Sequence, residues 1–390
     1  MRVLFLTPRP PYPPLKGDQL VEYHRLRLLA PRHEISLLSL CEREEELDAV
    51  AHLRDLCSSI SLVRLPRWRS YAGVAVRAPV SGLPLQVLYY RSSRFAAALE
   101  ELLTGTEFDV VHAYFLRMAQ YLPGIRSKKV LDLMDSLELR LQRQVETESQ
   151  PRRLLLREEL RRIRPYEREL VNHADQLIVA SEQDRALLPD GKTMVVENGV
   201  DTTLFAPSSG GARGSTIVFS GNMQYAPNVQ AATWFVRSCL PEIRRRIPDV
   251  AFVVAGVTPA PSVRALEREP AVRVTGYVES MPRVLNEARV AVAPMLSGAG
   301  IQNKILEAMA CGLPVVTTTI GLGGIRARPG EELEVADGAE PFAGAVAALL
   351  ESPQRAKELG ARARAFVEGR HSWERAADQV DEIYRRLTLT

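Results

Sequence analysis

Short runs of apolar residues, separated by longer amphipathic stretches, recur along the whole chain. In the first half, the apolar runs predict buried strands, and two of the stretches between them predict helices at residues 19–30 and 95–103. The predicted strands are residues 3–6, 35–40, 60–63, 110–111, 130–133 and 177–179. Strands that alternate with helices are typical of a parallel sheet with crossover helices, so we expect an α/β fold.

The same alternation starts again near Met194. Strands are predicted at residues 217–220, 250–255, 272–275, 290–293 and 315–318, and helices at residues 228–247, 281–288 and 301–310. We place the first domain at residues 1–175 and the second at residues 176–371, because a helix-rich run ends shortly before this point. Ser372 is predicted to cap a last helix that extends to about residue 387.

Composition and charge support a globular protein of two domains. The chain has 390 residues, which is more than one hydrophobic core usually organises. The net charge of +3 comes from nearly balanced acids and bases, so it does not indicate a nucleic-acid partner. The first apolar run is too short for a signal peptide, and no stretch approaches the roughly 20 apolar residues of a membrane span. We therefore expect a cytoplasmic protein. Its four scattered cysteines indicate neither a zinc site nor disulfides.

Arginines and aromatic residues cluster between residues 64 and 94. The cluster, named here the basic-aromatic patch, consists of Arg64, Arg67, Arg69, Arg77, Arg91 and Arg94 with Trp68, Tyr71, Tyr89 and Tyr90. Such a mixture is suited to an anionic membrane surface or to a phosphate-bearing acceptor. The alternative is an ordinary solvated loop.

Open α/β sheets bind ligands at the carboxyl ends of their strands, and two loops at such positions are distinctive. The first follows the opening strand and contains Gly17, where the backbone could approach a sugar or a phosphate. A purely structural glycine is the alternative. The loop lacks the Gly-x-Gly-x-x-Gly spacing, so a nicotinamide site is not supported.

The second loop runs from residue 294 through two glycines into a helix. A helix start presents free N–H groups and the positive end of the helix dipole, which together favour a diphosphate. Lys304 and Glu307 are three residues apart and therefore share a helix face. The lysine can neutralise phosphate, while the carboxylate can accept hydrogen bonds from ribose hydroxyls. An ordinary surface ion pair is the alternative.

Four sequence blocks resemble those of the GT-B-fold retaining glycosyltransferases of the large Glu-x7-Glu family, the glycosyl transferases group 1. The blocks are residues 196–205, 274–279, 306–316 and 372–374. Within that family, Gly-Asn-Met-Gln-Tyr-Ala-Pro-Asn at residues 221–228 and Gly-Ala-Gly-Ile-Gln-Asn-Lys at residues 298–304 are similar to sugar transferases of bacterial exopolysaccharide loci. The resemblance implies two Rossmann-like doubly wound domains that face each other across a cleft, with residues 372–390 crossing back to the first.

The resemblance also implies the reaction. The expected enzyme is a retaining glycosyltransferase that moves a sugar from a UDP- or GDP-sugar to a glycan, lipid-linked or glycoside acceptor in envelope or exopolysaccharide synthesis. It needs no cofactor and no metal ion. From its own residues, and not from the resemblance, the basic-aromatic patch is suited to peripheral contact with the inner face of the membrane. A sugar-nucleotide 2-epimerase of the same fold and a non-catalytic subunit that binds nucleotide or glycan are the alternatives.

Site residues follow from the resemblance position by position. Glu307 matches the second glutamate of the Glu-x7-Glu motif, which binds the donor ribose, and Lys304 is expected to stabilise the diphosphate and so to be catalytic. The other expected donor-binding residues are Gly17, Gly221 and Asn222, Tyr277 and Val278 against the base, and Gly298, Ala299, Gly300 and Ile301 around the sugar and phosphate.

Three positions depart from the family pattern. The first glutamate of the motif is replaced by Ala299, and Asn222 and Pro227 stand where a basic pair is usual. The family histidine falls on Met134, next to Asp135. Asp135 is therefore a second catalytic candidate, which could orient the acceptor or the sugar hydroxyls, or act as a base. It could equally cap the following helix.

Overall fold

The protein consists of two units, each built on one parallel sheet. The computed structural model describes residues 1–14, 17–188, 191–208, 214–298 and 300–389, except for the side chains of residues 49, 147 and 171. The first unit comprises Met1–Glu197 with Glu374–Thr390, and the second comprises Asn198–Trp373. The predicted α/β class is confirmed.

The first sheet has seven parallel strands. They are β1 (Arg2–Thr7), β2 (Glu34–Cys41), β3 (Ser59–Arg64), β4 (Val110–Tyr114), β5 (Lys128–Met134), β6 (Gln176–Val179) and β7 (Thr193–Val195). Their order is β3-β2-β1-β4-β5-β6-β7. The central strands read as nearly continuous apolar runs because helices cover both faces of a parallel sheet.

Among the described residues, eight helices connect these strands. They are α1 (Gly17–Leu29), α2 (Ala49–Leu53), α3 (Arg67–Arg77), α4 (Leu85–Tyr89), α5 (Ser93–Gly105), α6 (Leu137–Thr147), α7 (Arg152–Glu169) and α8 (Glu182–Arg185). Helices α1 and α5 confirm the two helices predicted from periodicity. Short 3₁₀ segments also occur at Glu44–Asp48, Leu116–Tyr121 and Leu170–Asn172.

The second sheet has six parallel strands in the order β10-β9-β8-β11-β12-β13. The strands are β8 (Thr216–Ser220), β9 (Ala251–Ala255), β10 (Val272–Gly276), β11 (Val290–Ala293), β12 (Val315–Thr317) and β13 (Glu334–Val335). Five of them match the predicted strands, and the two-residue β13 carries no apolar run that would reveal it.

The helices of the second unit begin with a long one that is interrupted by a π turn at Phe235–Cys239. The others follow between and after the strands, together with a 3₁₀ turn at Ala265–Arg268. They are α9 (Ala226–Trp234), α10 (Leu240–Arg246), α11 (Pro261–Arg264), α12 (Met281–Asn286), α13 (Asn303–Ala310), α14 (Thr319–Leu322), α15 (Ala339–Glu351) and α16 (Pro353–Arg370).

The division between the units lies at Glu197 and Asn198, and not at residue 175. The strand near Met194, which the sequence assigned to the second domain, is β7 of the first sheet and pairs with β6. Alternation of strands and helices shows where elements occur but not which sheet a strand joins, so the pattern placed this boundary too early. Of the glycine- and serine-rich segment 207–214, residues 209–213 lie outside the described part.

The last helix, α17 (Trp373–Leu389), packs in the first unit over nearly its whole length. Its buried apolar residues recur at helical spacing and are Trp373, Ala376, Ala377, Val380, Ile383 and Tyr384. Polar contacts fix its register: Arg32 Nη1 lies 2.6 Å from Asp378 Oδ1, and His33 Nε2 lies 3.0 Å from Asp381 Oδ1. No helix in the described ranges is both long and apolar enough to cross a membrane.

A buried ion pair joins α1 to the centre of the first sheet. Arg25 of α1 pairs with Asp132 of β5, and both side chains are almost completely inaccessible to solvent. Beside them, His112 of β4 hydrogen-bonds the hydroxyl of Tyr384 in α17. Burial places the pKa of His112 well below its ordinary value, and the positive charge of Arg25 acts in the same direction. His112 is therefore neutral, and the pair Arg25–Asp132 carries the charge in this core.

Replacing one partner of this pair tests its role. Asp132→Ala leaves the Arg25 guanidinium buried without its counter-ion, and we expect a loss of about 3–5 kcal/mol in the free energy of unfolding of the first unit. Asp55→Ala removes an exposed acid from the same unit and should change stability by less than about 0.5 kcal/mol. Urea unfolding followed by circular dichroism measures both. Equal midpoints for the two variants would contradict this role.

Candidate functional site

The strand order of the second sheet creates a defined point for ligand binding. Chain order runs outward in one direction from β8 to β10 and in the other from β11 to β13. In sheets of this kind the loops that leave the two strands at the reversal diverge, and ligands bind between them at the carboxyl ends. Gly221 and Asn222 follow β8, and the loop before α13 follows the adjacent β11. Of the sequence-predicted donor residues, Gly221 and Asn222 after β8 and Gly298, Gly300, Ile301, Lys304 and Glu307 after β11 therefore lie at this switch point.

The side chain of Lys304 extends from α13 to the loop that follows β8. It crosses this turn, and a Cβ atom on Gly221 would lie 3.2 Å from Lys304 Cε and 2.8 Å from Asn228 Nδ2. Gly221 also has a φ of +147°, so only glycine suits this position. The ammonium group donates a hydrogen bond of 2.9 Å to Gln302 Oε1 and lies 5.7 Å from the centre of the Phe219 ring.

Helix α13 begins immediately before Lys304 without a capping side chain. Gln302 precedes the helix, and its side chain does not accept a hydrogen bond from the first N–H groups, although its backbone O accepts one of 2.9 Å from Ile305 N. Such groups carry the positive end of the helix dipole and are suited to an anion. The helix start is held in place by Asn198, whose Nδ2 donates a hydrogen bond of 3.0 Å to Asn303 Oδ1.

Burial shifts the titration of both charged residues on α13. Lys304 is half-buried, and burial lowers its pKa to about 8, although the nearby Glu307 carboxylate favours the charged form. Burial raises the pKa of Glu307 to about 7, against the opposing effect of Lys304. The two side chains therefore titrate close to neutrality. A bound diphosphate would favour the charged form of Lys304 and so raise its pKa again, and shifted groups of this kind often mark ligand sites.

The loop between β11 and α13 is braced from the next strand. Thr317 Oγ1 donates to Ala293 O at 2.8 Å, and Thr318 Oγ1 donates to Met295 O at 2.6 Å. Gly298 and Gly300 have φ angles of +135° and +69°, which explains the two glycines of the motif. Ile301 is buried, and Ala299 lies outside the described residues. The backbone of the loop is thus held by the hydroxyls of Thr317 and Thr318, and Ser297 Oγ of the loop donates a further hydrogen bond of 3.1 Å to Gln230 Oε1.

The ends of β8, β9 and β10 are tied together. A Cβ atom on Gly256 would lie 1.7 Å from Gly221 O, so the two turns touch through their backbones. Gly256 N also donates to Gly276 O at 3.1 Å. Tyr277, which follows, is 66% exposed, and Val278 is half-buried. The segment expected to contact the base therefore lies on the same sheet edge as Lys304.

Asp135 and Gly17 lie in the first unit, separately from these residues. Asp135 follows β5 and is 3.3 Å from Arg140 Nη1. Burial raises the pKa of Asp135, while Arg140 and Arg117 act against this effect. Ser136, and not Asp135, caps α6, because its Oγ accepts a hydrogen bond of 3.3 Å from Leu139 N. The capping alternative for Asp135 is therefore wrong.

Gly17 is the first residue of α1, and residues 15 and 16 of its loop lie outside the described part. The next residue, Asp18, is 3.3 Å from Arg9 Nε and 3.9 Å from Arg117 Nη2. Sequence reasoning missed both arginines, since isolated arginines in separate loops carry no spacing signal. It also missed Gln302, although the position before a helix start was a usable clue. No group of three or more His, Cys, Asp or Glu in the described residues could hold a metal ion.

Between positions 67 and 77 the basic-aromatic patch is not a loop but the helix α3. This helix buries only Ser70, and Trp68 and Tyr71 are 68% and 65% exposed. The loop alternative is therefore wrong for this part of the patch. All four cysteines are buried, and none of them forms a disulfide in the described residues.

Comparison with known proteins identifies a family domain within the second unit and a fold for the chain. Residues 214–352 match the family model "Glycosyl transferases group 1", and this range contains Gly221, Tyr277 and Lys304. A 44.6 kDa protein in the cps region of Klebsiella pneumoniae is 21% identical over 387 residues, which are 94% of this chain and 95% of that protein. The α-maltose-1-phosphate synthase of Mycolicibacterium smegmatis is 31% identical over 265 residues, which are 57% of this chain and 66% of that protein.

Solved structures resemble the whole chain. Sucrose-phosphate synthase from Thermosynechococcus elongatus superposes with a TM-score of 0.72 at 17% identity, covering 99% of each chain. Anabaena HepE in complex with UDP-glucose gives a TM-score of 0.71 at 16% identity, covering 99% of this chain and 100% of that one. The similarity at this level of identity establishes the GT-B fold.

The contact between Gly256 and Gly221 can be tested by a pair of glycine substitutions. Gly256→Ala places a methyl group against the Gly221 carbonyl at a φ of +146°, so the turns after β8 and β9 must separate. We expect a loss of at least about 1–3 kcal/mol. Gly344→Ala, in an open position inside α15, should be neutral or stabilise by up to about 1 kcal/mol. Thermal unfolding of both variants checks this, and unchanged stability of Gly256→Ala would contradict the packing described.

Proposed function

Because the protein is a glycosyltransferase with a glycosyl transferases group 1 domain, we propose that it transfers a sugar from a UDP- or GDP-sugar with retention of configuration. The observation that carries the proposal is the half-buried Lys304 in the first turn of an uncapped helix at the switch point of the second sheet. Positive charge and free N–H groups meet there, as a donor diphosphate requires.

Each donor contact follows from its position. The diphosphate binds Lys304 and the start of α13, with Gly298, Gly300 and Ile301 around the transferred sugar. Glu307 lies one turn further along the helix and accepts hydrogen bonds from the ribose hydroxyls. Tyr277 and Val278 lie against the base, and Gly221 leaves room for the lysine side chain.

Charge development explains how these contacts promote transfer. Negative charge accumulates on the departing diphosphate as the bond between the sugar and its phosphate oxygen breaks. Lys304 and the N–H groups of α13 are already oriented towards that position, so they stabilise the transition state without reorganising. This arrangement supplies the positive charge from the protein alone, which supports transfer without a metal ion. Asp135, with its raised pKa, is suited to orient the acceptor or to accept its proton.

The acceptor is proposed to be a glycan, a lipid-linked sugar or a glycoside of the cell envelope or an exopolysaccharide. Support comes from the relative in the cps region of Klebsiella pneumoniae, which aligns over 94% of this chain. The basic-aromatic patch with its exposed Trp68 and Tyr71 supports peripheral contact with the inner face of the membrane, and hence a cytoplasmic enzyme. The UDP-glucose complex of Anabaena HepE favours UDP over GDP.

Substitutions on α13 separate the two donor roles. A charge-assisted hydrogen bond contributes about 1.5–3 kcal/mol, so Lys304→Ala should slow transfer at saturating donor roughly ten- to a hundredfold or more. Glu307→Ala should mainly raise the dissociation constant for nucleotide. Steady-state transfer from a panel of UDP- and GDP-sugars, with calorimetric titration of UDP and GDP, measures both effects.

Lys357→Ala is a matched control, because this lysine is exposed on α16. It should leave both quantities unchanged. Near-normal turnover of Lys304→Ala at saturating donor, or loss of activity of the parent enzyme with a chelator, would contradict the proposal. Conversion of the donor sugar without an acceptor would instead indicate the 2-epimerase.

A further inference from the structure

A cavity of about 830 Å³ lies in the first unit, at the end of β3 and beside α3. Its wall contains five arginines and a single acidic residue, Glu169. The arginines are Arg64, Arg69, Arg77, Arg91 and Arg94, all members of the basic-aromatic patch. The volume is in the range of ordinary ligand pockets. The patch therefore forms a concave site and not only a charged surface.

Most of this positive charge is not neutralised by the protein. Arg64 Nη1 lies 2.8 Å from Glu44 Oε1. In the described part of the chain, the other four arginines have no carboxylate within ion-pair distance, and Arg69 stacks instead on the Trp68 ring at 5.1 Å. Helix α5 also begins at the cavity with Ser93 and Arg94, and adds the positive end of its dipole. A concave surface with such excess charge attracts anions.

The cavity wall is held in place by specific hydrogen bonds. Tyr121 hydroxyl accepts from Ser92 N at 2.8 Å and donates to Tyr90 O at 2.7 Å, which fixes the start of α5. From α7, Arg162 donates to Ala78 O at 3.1 Å and to Ser81 O at 2.9 Å, which anchors the segment after α3. The backbone on both sides of the cavity is therefore held by hydrogen bonds, even though Ser70 is the one buried side chain of α3.

Exposed apolar side chains accompany the cavity on one side. Trp68, Tyr71, Val76 and Val80 are between 65% and 88% exposed, on α3 and just after it. Large apolar groups beside uncompensated arginines suit a ligand that is anionic at one end and apolar at the other.

We propose that the arginine-lined cavity binds a phosphate or diphosphate group of the acceptor. This inference rests on the proposed function, because it names the chemical class of the acceptor. The cavity follows β3 and Asp135 follows β5, so both lie at the carboxyl edge of one parallel sheet. A lipid headgroup and a soluble sugar phosphate share this chemistry, and the test distinguishes them. The exposed face of α3 would contact the lipid in the first case.

The test compares two double variants that each remove two arginines. Arg91→Ala with Arg94→Ala removes two guanidinium groups from one wall of the cavity. Arg27→Ala with Arg54→Ala removes the same charge from exposed positions of the first unit outside the cavity. All variants are made in the full chain with Lys304→Ala, so that pyrophosphate binding at the second unit is weakened equally in all of them. One arm titrates pyrophosphate by calorimetry, and the other sediments phosphatidylcholine vesicles with and without phosphatidic acid.

We expect the cavity variant to lose affinity for pyrophosphate about tenfold or more relative to the Arg27 and Arg54 variant. Loss confined to the vesicle arm also supports the site and identifies a lipid source. Failure of the starting protein to bind either probe, or equal weakening in both double variants, overturns the proposal. A separate titration tests the donor site: UDP and GDP are added to the same cavity variant with Lys304 restored. Failure of the proposed function can then be distinguished from failure of the proposed acceptor site.

Discussion

The candidate site of the second unit depends on one feature, the partly buried ammonium group of Lys304 at a helix start without a capping side chain. It is brought over the β8 turn because Gly221 has no side chain, and Gly256 in turn lets the β9 end contact that glycine. The same burial that lowers the pKa of Lys304 to about 8 makes its charge costly unless an anion is present. A site with these properties gains free energy when a diphosphate enters, because the ligand supplies the missing counter-charge.

In the core of the first unit, by contrast, the protein itself supplies both members of the buried charge pair. Arg25 and Asp132 neutralise each other in the core, and His112 is kept neutral beside them. The arginines at the sheet edge are only partly paired, as Arg117 lies 3.9 Å from Asp18. Positive charge that the fold does not use for its own stability is thus concentrated where strands end. This distribution favours an anionic partner for the first unit as well as for the second.

Much of this arrangement could be predicted from the sequence. Apolar runs identified most strands because parallel strands are buried on both faces, and the glycines and Lys304 after β11 identified the loop at the switch point. Sheet membership of β7 could not be predicted, because pairing depends on contacts distant in sequence. The cavity beside α3 also required the structure, since Arg64 at the end of β3 and Arg91 just before α5 line one cavity only because α5 packs against β3. Ser136 as the cap of α6 was obscured by the adjacent Asp135.

The most direct test of the central claim is the pH dependence of sugar-nucleotide affinity, measured by calorimetry with whichever of UDP-glucose and GDP-mannose binds. Lys304 must be protonated to bind the diphosphate, so affinity should fall as pH rises through about 8. Glu307 must be ionised to accept the ribose hydroxyls, so affinity should also fall as pH decreases through about 7. The strongest binding is therefore expected between these values, and Glu307→Gln should abolish the decrease at low pH. Affinity that stays constant through both values in the parent protein would contradict the claim.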